Sequence, residues 1–132
     1  MKPRRGSTMI ELALLLAVLT PVAAGGLRFA WSFYLIDSLQ DAVAQAAAQA
    51  AHSPAATSEA LQKAATEKAL AAGVPWLDAS HVRVEIEPGP SGEPRWIAVS
   101  IHGYDLPTPF SSTRLEGKPR ARFPYLVRTG AR

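Results

Sequence analysis

From Met9 to Leu27 the sequence is apolar except for one acid, Glu11. Roughly 19 residues of helix, at 1.5 Å each, reach about 28 Å, close to the hydrocarbon thickness of a bilayer. A carboxylate within such a run is costly. An acid at the centre of a membrane helix costs roughly 2.5 to 3.5 kcal/mol on insertion scales. The position of Glu11 therefore asks for something that compensates it. The rest of the 132-residue chain is one domain at most, near the lower end of size for a self-sufficient core.

The flanks give the run a direction. Lys2, Arg4 and Arg5 precede it with no acid among them, and they read as a positive-inside topology signal. Arg28 closes the run and can snorkel to the interface, and Trp31 and Tyr34 suit an interfacial aromatic belt. The N-terminus is then expected in the cytoplasm and the bulk of the chain outside it. The formal charge of +3 is accounted for by the three leading bases, so nucleic-acid binding has no support. A cleaved secretory signal is the direct competitor, with Val22-Ala23-Ala24 as its small-residue site. Glu11 interrupts the apolar region such a signal needs. Apolar character also resumes after Ala24, with Leu27, Phe29, Trp31 and Phe33. Arg4-Arg5 lacks the apolar residues that support a twin-arginine signal.

Pro21, with Gly25-Gly26 beyond it, predicts a kink or local melting near residues 17 to 26. The helical pattern continues to about Ala51. Leu35, Leu39, Val43, Ala46 and Ala50 form one stripe, while Asp37, Asp41, Gln45 and Gln49 form another face. The alanine end of the stripe suits close packing, either within its own domain or between subunits. His52 to Ala56 breaks the helix. Thr57 or Ser58 caps a second one, which runs to about Ala72 with Leu61, Ala65, Ala69 and Ala72 as its apolar face and stops at Gly73.

Strand signals follow. Val82, Val84 and Ile86 alternate with charged residues, Pro88 to Gly92 is a turn, and Ile97, Val99 and Ile101 alternate up to His102. Tyr104 to Gly117 reads as loop. Pro119 to Val127 supplies a third strand, with Ala121, Phe123 and Tyr125 on one side, and Pro124 demotes it to an edge. The order of elements predicts an α+β fold: a long kinked N-terminal helix, a second short helix and a small antiparallel sheet of about three strands. The basic residues Lys118, Arg120, Arg122, Arg128 and Arg132 read as a solvated strand face, or as a contact for acidic partners or phospholipid head groups, and Trp96 as a packed strand residue or a head contact.

Motifs for catalysis are absent from the sequence. His52, His81 and His102 have no metal-ligand spacing, Asp78 and His81 have no nucleophile beside them, and no phosphate loop is present. With no cysteine, a thiolate site is excluded. Neither an enzyme nor a cofactor is expected.

Basic residues, Gly6, four residues, and then Glu11 opening an apolar helix resemble the class III signal of type IV-like prepilins. The helix with Pro21, Gly26, Phe29, Tyr34 and Leu39, followed by an alanine-rich amphipathic continuation, resembles the TadE-like pseudopilins of tight-adherence (Tad, Flp) pili. The likeness covers residues 4 to 51. Leu12 stands where the family often has Phe or Tyr. The resemblance implies a membrane prepilin peptidase that cuts between Gly6 and Ser7 and makes Glu11 the fifth residue of the mature chain. It also implies a minor component that works with other pilins, an inner-membrane assembly platform and the lipid bilayer. The expected organisation is a leader (1–6), a transmembrane helix (7–28), its amphipathic continuation (29–52) and an extracytoplasmic head (57–132). Glu11 would pair with the new Ser7 ammonium of an axially staggered neighbour and so favour one register. The plainer alternative keeps Glu11 solvated or protonated at the interface. The competing functional reading is a signal-anchored or secreted binding domain outside any pilus.

Overall fold

The structure is a computed structural model that describes residues 5–54 and 57–127. The N-terminal helix, α1, spans Arg5–Ala51 without interruption, about 70 Å of rise. Of the kink or local melting expected near residues 17 to 26, melting does not occur: Pro21 and Gly25-Gly26 lie inside continuous helix. Proline removes one helix hydrogen bond. A full break would also require a second helix nucleation, which is more costly than one missing bond.

The two halves of α1 have different surroundings. From Gly6 to Phe29 only Gly25 is even partly covered, and an 18-residue apolar window there has 0 % of its residues buried. By length and composition this helix can cross a membrane. Beyond Trp31 one face is buried: Leu35, Leu39, Val43, Ala46 and Ala50, joined by Ala42 and Ala47. Asp37, Asp41, Gln45 and Gln49 are exposed, as their four-residue spacing predicts. The alanine ridge packs within its own domain, which settles one of the two readings its sequence allowed.

The second helix, α2, is Ser58–Ala71. Thr57 caps it, with the Ala60 N–H donating to Thr57 Oγ1 at 3.3 Å. Leu61, Ala65 and Ala69 face the core. Ala72, expected on that face, is instead the exposed C-cap, and Gly73 follows at φ +72°, a left-handed conformation that favours glycine.

The sheet has three antiparallel strands in the order β1 (Val82–Pro88), β2 (Pro94–Pro107) and β3 (Ser112–Pro124), so β3 is an edge strand as Pro124 suggested. A short 3-10 turn, Ala79–His81, leads into it. Both helices cover one face, closing a core of Leu35, Leu39, Val43, Leu61, Ile97, Val99, Ile101 and Tyr104.

The expected loop over Tyr104 to Gly117 is a correction. Most of it is strand, and only Thr108–Ser111 turns between β2 and β3. Register shifts near His102 explain the misreading. Up to Ile101 the odd-numbered residues of β2 face the core. After Gly103, at φ +70°, the even-numbered Tyr104 and Leu106 do so. A bulge inserts one residue and reverses the side-chain alternation. A reader following strict alternation therefore loses the strand where it bends.

The outer face of the sheet is paired charge. Arg120 bridges to Glu85 at 3.0 Å and Arg122 to Glu87 at 2.6 Å, and Arg122 also lies 4.3 Å above the Trp96 ring. Between these outer strands, Ala98 and Ser100 of β2 are almost fully buried. The solvated-face reading holds for Arg120 and Arg122, and Trp96 is a packed strand residue. Arg128 and Arg132 lie outside the described residues.

Tyr104 ties the α2–β1 connection to the sheet. Its hydroxyl donates to the Pro75 carbonyl at 2.8 Å, and burial holds its phenol above the ordinary value. An acid whose folded pKa is raised stabilises the fold fully below its unfolded pKa, about 10, and that contribution is lost as pH rises through the folded value. Tyr104→Phe is expected to cost about 1 kcal/mol at neutral pH. It should also remove the Tyr104 share of any stability loss above pH about 10. Denaturant melts of both chains at neutral and alkaline pH check this.

Candidate functional site

The candidate site is the first turn and a half of α1. Gly6, Ser7 and Glu11 are all helical and exposed. Ser7 and Glu11 are four residues apart and therefore share a helix face. The Ser7 hydroxyl donates to Glu11 Oε1 at 3.4 Å, a long and weak bond. Glu11 also borders a stripe of Ile10, Leu14, Leu15, Val18 and Leu19. Its charge thus sits at the edge of continuous apolar surface.

Among the described residues no salt bridge includes Glu11. Arg28, the next base along the helix, is 17 residues and about 25 Å away. Lys2 and Arg4 lie outside the described residues. Arg5 is described only as backbone in α1. The structure therefore brings together Ser7 and Glu11 with Gly6 beside them, while Pro21 lies further along the same exposed helix.

Other residues singled out in the sequence have local structural roles. Asp78 and His81 form the capping box of the 3-10 turn. Asp78 accepts from the Ser80 N–H at 2.8 Å and from the Ser80 hydroxyl, and the Asp78 N–H donates to His81 Nδ1 at 3.2 Å. The Ser80 hydroxyl, then its amide, holds the Asp78 carboxyl below the usual range. His52 Nδ1 donates to the Ala48 carbonyl at 2.7 Å, and His102 Nε2 meets Ser100 Oγ at 3.1 Å. Among the described residues no group of histidines and acids is arranged to hold a metal ion.

Two features escaped the sequence reading. Trp76 is 74 % exposed and has φ +58°, a conformation costly for a bulky residue. Its place after a helix stop marks a turn, but nothing in the sequence marks that conformation. The second is a junction between the two halves of the molecule. Ser32 Oγ contacts the carbonyls of Arg28 (2.9 Å) and Pro107, and Arg28 Nη1 donates to the Pro109 carbonyl at 3.5 Å. Arg28, expected to snorkel to the interface, thus also reaches the β2–β3 turn through one long, weak bond. Treating residues 104 to 117 as loop hid this contact.

No family model, curated protein or solved structure matches the chain.

Proposed function

We propose that the chain is the precursor of a TadE-like minor pilin, cut by a prepilin peptidase between Gly6 and Ser7 and active in assembling a Tad-type pilus for surface attachment. The observation that carries this reading is the exposure of the whole apolar half of α1, with one carboxylate near its start and the glycine–serine bond one turn before it. A surface of Met9, Ile10, Leu14, Val18, Val22 and Leu27 left bare on every side exceeds what a water-soluble monomer tolerates. A bilayer before assembly and neighbouring helices after it would each cover that surface. The head would stand outside the cytoplasmic membrane, carried on the amphipathic half of α1.

Cleavage would convert the Ser7 amide into an ammonium. That charge would appear on the residue whose hydroxyl already reaches Glu11. In a packed helix bundle each carboxylate needs a partner of opposite charge, and a staggered neighbour's Ser7 ammonium would supply it. Only registers that bring the two together avoid a buried unpaired charge.

Glu11→Ala is expected to leave cleavage intact and to lower incorporation into assembled material. Removing one partner of a buried ion pair costs about 3 to 5 kcal/mol, on the order of a hundredfold or more in equilibrium. Co-purification of the mature chain with its partner pilins measures the effect. A processed Glu11→Ala chain that assembles as well as the parent would contradict the pairing.

A further inference from the structure

We infer that the β2–β3 turn is a second membrane foot: Phe110 enters the boundary between head groups and acyl chains of the leaflet beneath the head. This inference rests on the proposed membrane-spanning role of α1. The β2–β3 hairpin lies along the amphipathic half of α1 and is fixed at both ends. At the far end, Leu126 N–H donates to the Ala51 carbonyl at 3.1 Å and the Tyr125 hydroxyl to the Ser53 carbonyl at 3.0 Å. At the near end, Pro107 meets Ser32 and Pro109 meets Arg28. From Pro107 to Pro109 the chain thus passes from the Ser32 hydroxyl to the Arg28 guanidinium, residues one helix turn apart, toward the apolar run. Phe110 comes next.

The level of Arg28 is where the apolar run ends and an aromatic collar begins. Phe29 and Phe33 meet edge to face at 4.6 Å, and Trp31 stacks with Tyr34 at 5.4 Å, with all four rings exposed. Aromatic rings favour this depth of a bilayer. Phe110 is 99 % exposed, an apolar ring with no cover from its own chain.

The turn is suited to leaving water. Thr108 N–H donates to the Ser111 carbonyl at 2.8 Å, and Ser111 N–H to Thr108 Oγ1 at 3.2 Å. Pro109 has no N–H, and its carbonyl receives Arg28. Backbone groups that enter lipid without partners are strongly disfavoured, and here the amides of Thr108 and Ser111 and the carbonyls of Pro109 and Ser111 are paired. The opposite tip, between β1 and β2, carries Pro90, Ser91, Gly92 and Glu93 and no large apolar side chain. Only the tip beside the apolar helix bears an aromatic ring. Lipid is therefore its occupant, and a second protein copy is the outcome that would displace this reading.

The sequence has no cysteine, so single-cysteine labelling is clean. The full chain carrying Phe110→Cys, Leu19→Cys or Ser91→Cys is labelled with an environment-sensitive fluorophore. Each is reconstituted in vesicles of phosphatidylcholine and phosphatidylglycerol, with a nitroxide placed near the head or near the end of the acyl chain. A label at 110 should shift to the blue and be quenched most by the shallow nitroxide, a label at 19 should sit in the hydrocarbon, and one at 91 should stay aqueous. To avoid relying on the dye's own affinity for lipid, Ser112→Cys is labelled with Phe110 intact and again with Phe110→Ser. The serine variant should lose shallow quenching several-fold.

A label at 110 as aqueous as that at 91, with 19 in lipid, overturns the inference and leaves the membrane reading standing. Shielding at 110 without lipid quenching assigns the site to a protein contact and also overturns it. A label at 19 outside lipid removes the membrane reading itself, and this inference with it.

Discussion

Gly6→Ala is expected to abolish processing, leaving the chain at its full length beside a prepilin peptidase that shortens the parent by six residues. The effect is close to all-or-none, and the structure separates it from misfolding. Gly6 is exposed, and a Cβ built there meets no atom within 4 Å. Alanine also favours helix over glycine by roughly 1 kcal/mol, so α1 should form as well or better. The head lies more than 20 residues away along the helix and has no part in this change. Loss of cleavage would therefore report recognition at the scissile bond. Gel mobility and intact mass of the membrane fraction measure it. Efficient cutting of the alanine chain would contradict the assignment of Gly6 as the residue recognised there.

The second large effect concerns the head. Leu39 is 0 % exposed, at the middle of the stripe that α1 presents to α2 and the sheet. Leu39→Ala removes buried methyl groups and leaves a cavity that alanine neighbours such as Ala42 and Ala46 are too small to fill. Such changes cost about 2 to 5 kcal/mol. For a domain of this size that is a fall in Tm of roughly 10 to 30 °C. Thermal melts in detergent, followed by circular dichroism, check it. Asp41→Ala on the exposed face should stay within about 0.5 kcal/mol of the parent. Because the cavity is far from Gly6, Leu39→Ala should still be processed, so the two variants separate head folding from maturation.

Much of the fold follows from simple periodicities. The three-and-four spacing of Leu35, Leu39 and Val43 marked the buried face of α1, and the two-residue spacing of Val82, Val84 and Ile86 marked β1. Thr57 and Gly73 marked the ends of α2 through cap chemistry that is local in sequence. What was lost depends on contacts between distant residues. The bulge at Gly103 reverses the alternation on which strand reading relies, and its partner positions lie across the sheet on β3. The Arg28–Pro109 contact joins residues 81 apart and could not be anticipated while residues 104 to 117 read as loop. Of the two outcomes Pro21 allowed, a kink or local melting, melting is absent, since restarting a helix costs more than one missing bond.

The candidate site was legible because it is local. Gly6, Ser7 and Glu11 fall within six residues, and helical spacing alone places Ser7 and Glu11 on one face. The missing half of the site, the positive charge opposite Glu11, belongs to a cleavage event and to a neighbouring subunit in the proposed mechanism. Among the described residues of one chain, no salt bridge includes Glu11.

The most direct test of the proposed maturation is the intact mass and N-terminal sequence of the protein recovered from membranes that contain a prepilin peptidase. A chain beginning at Ser7, without Met1 to Gly6, is the expected result. A chain intact from Met1 would make the protein a signal-anchored binding module, and one beginning near Gly25 a secreted domain; either would contradict maturation between Gly6 and Ser7.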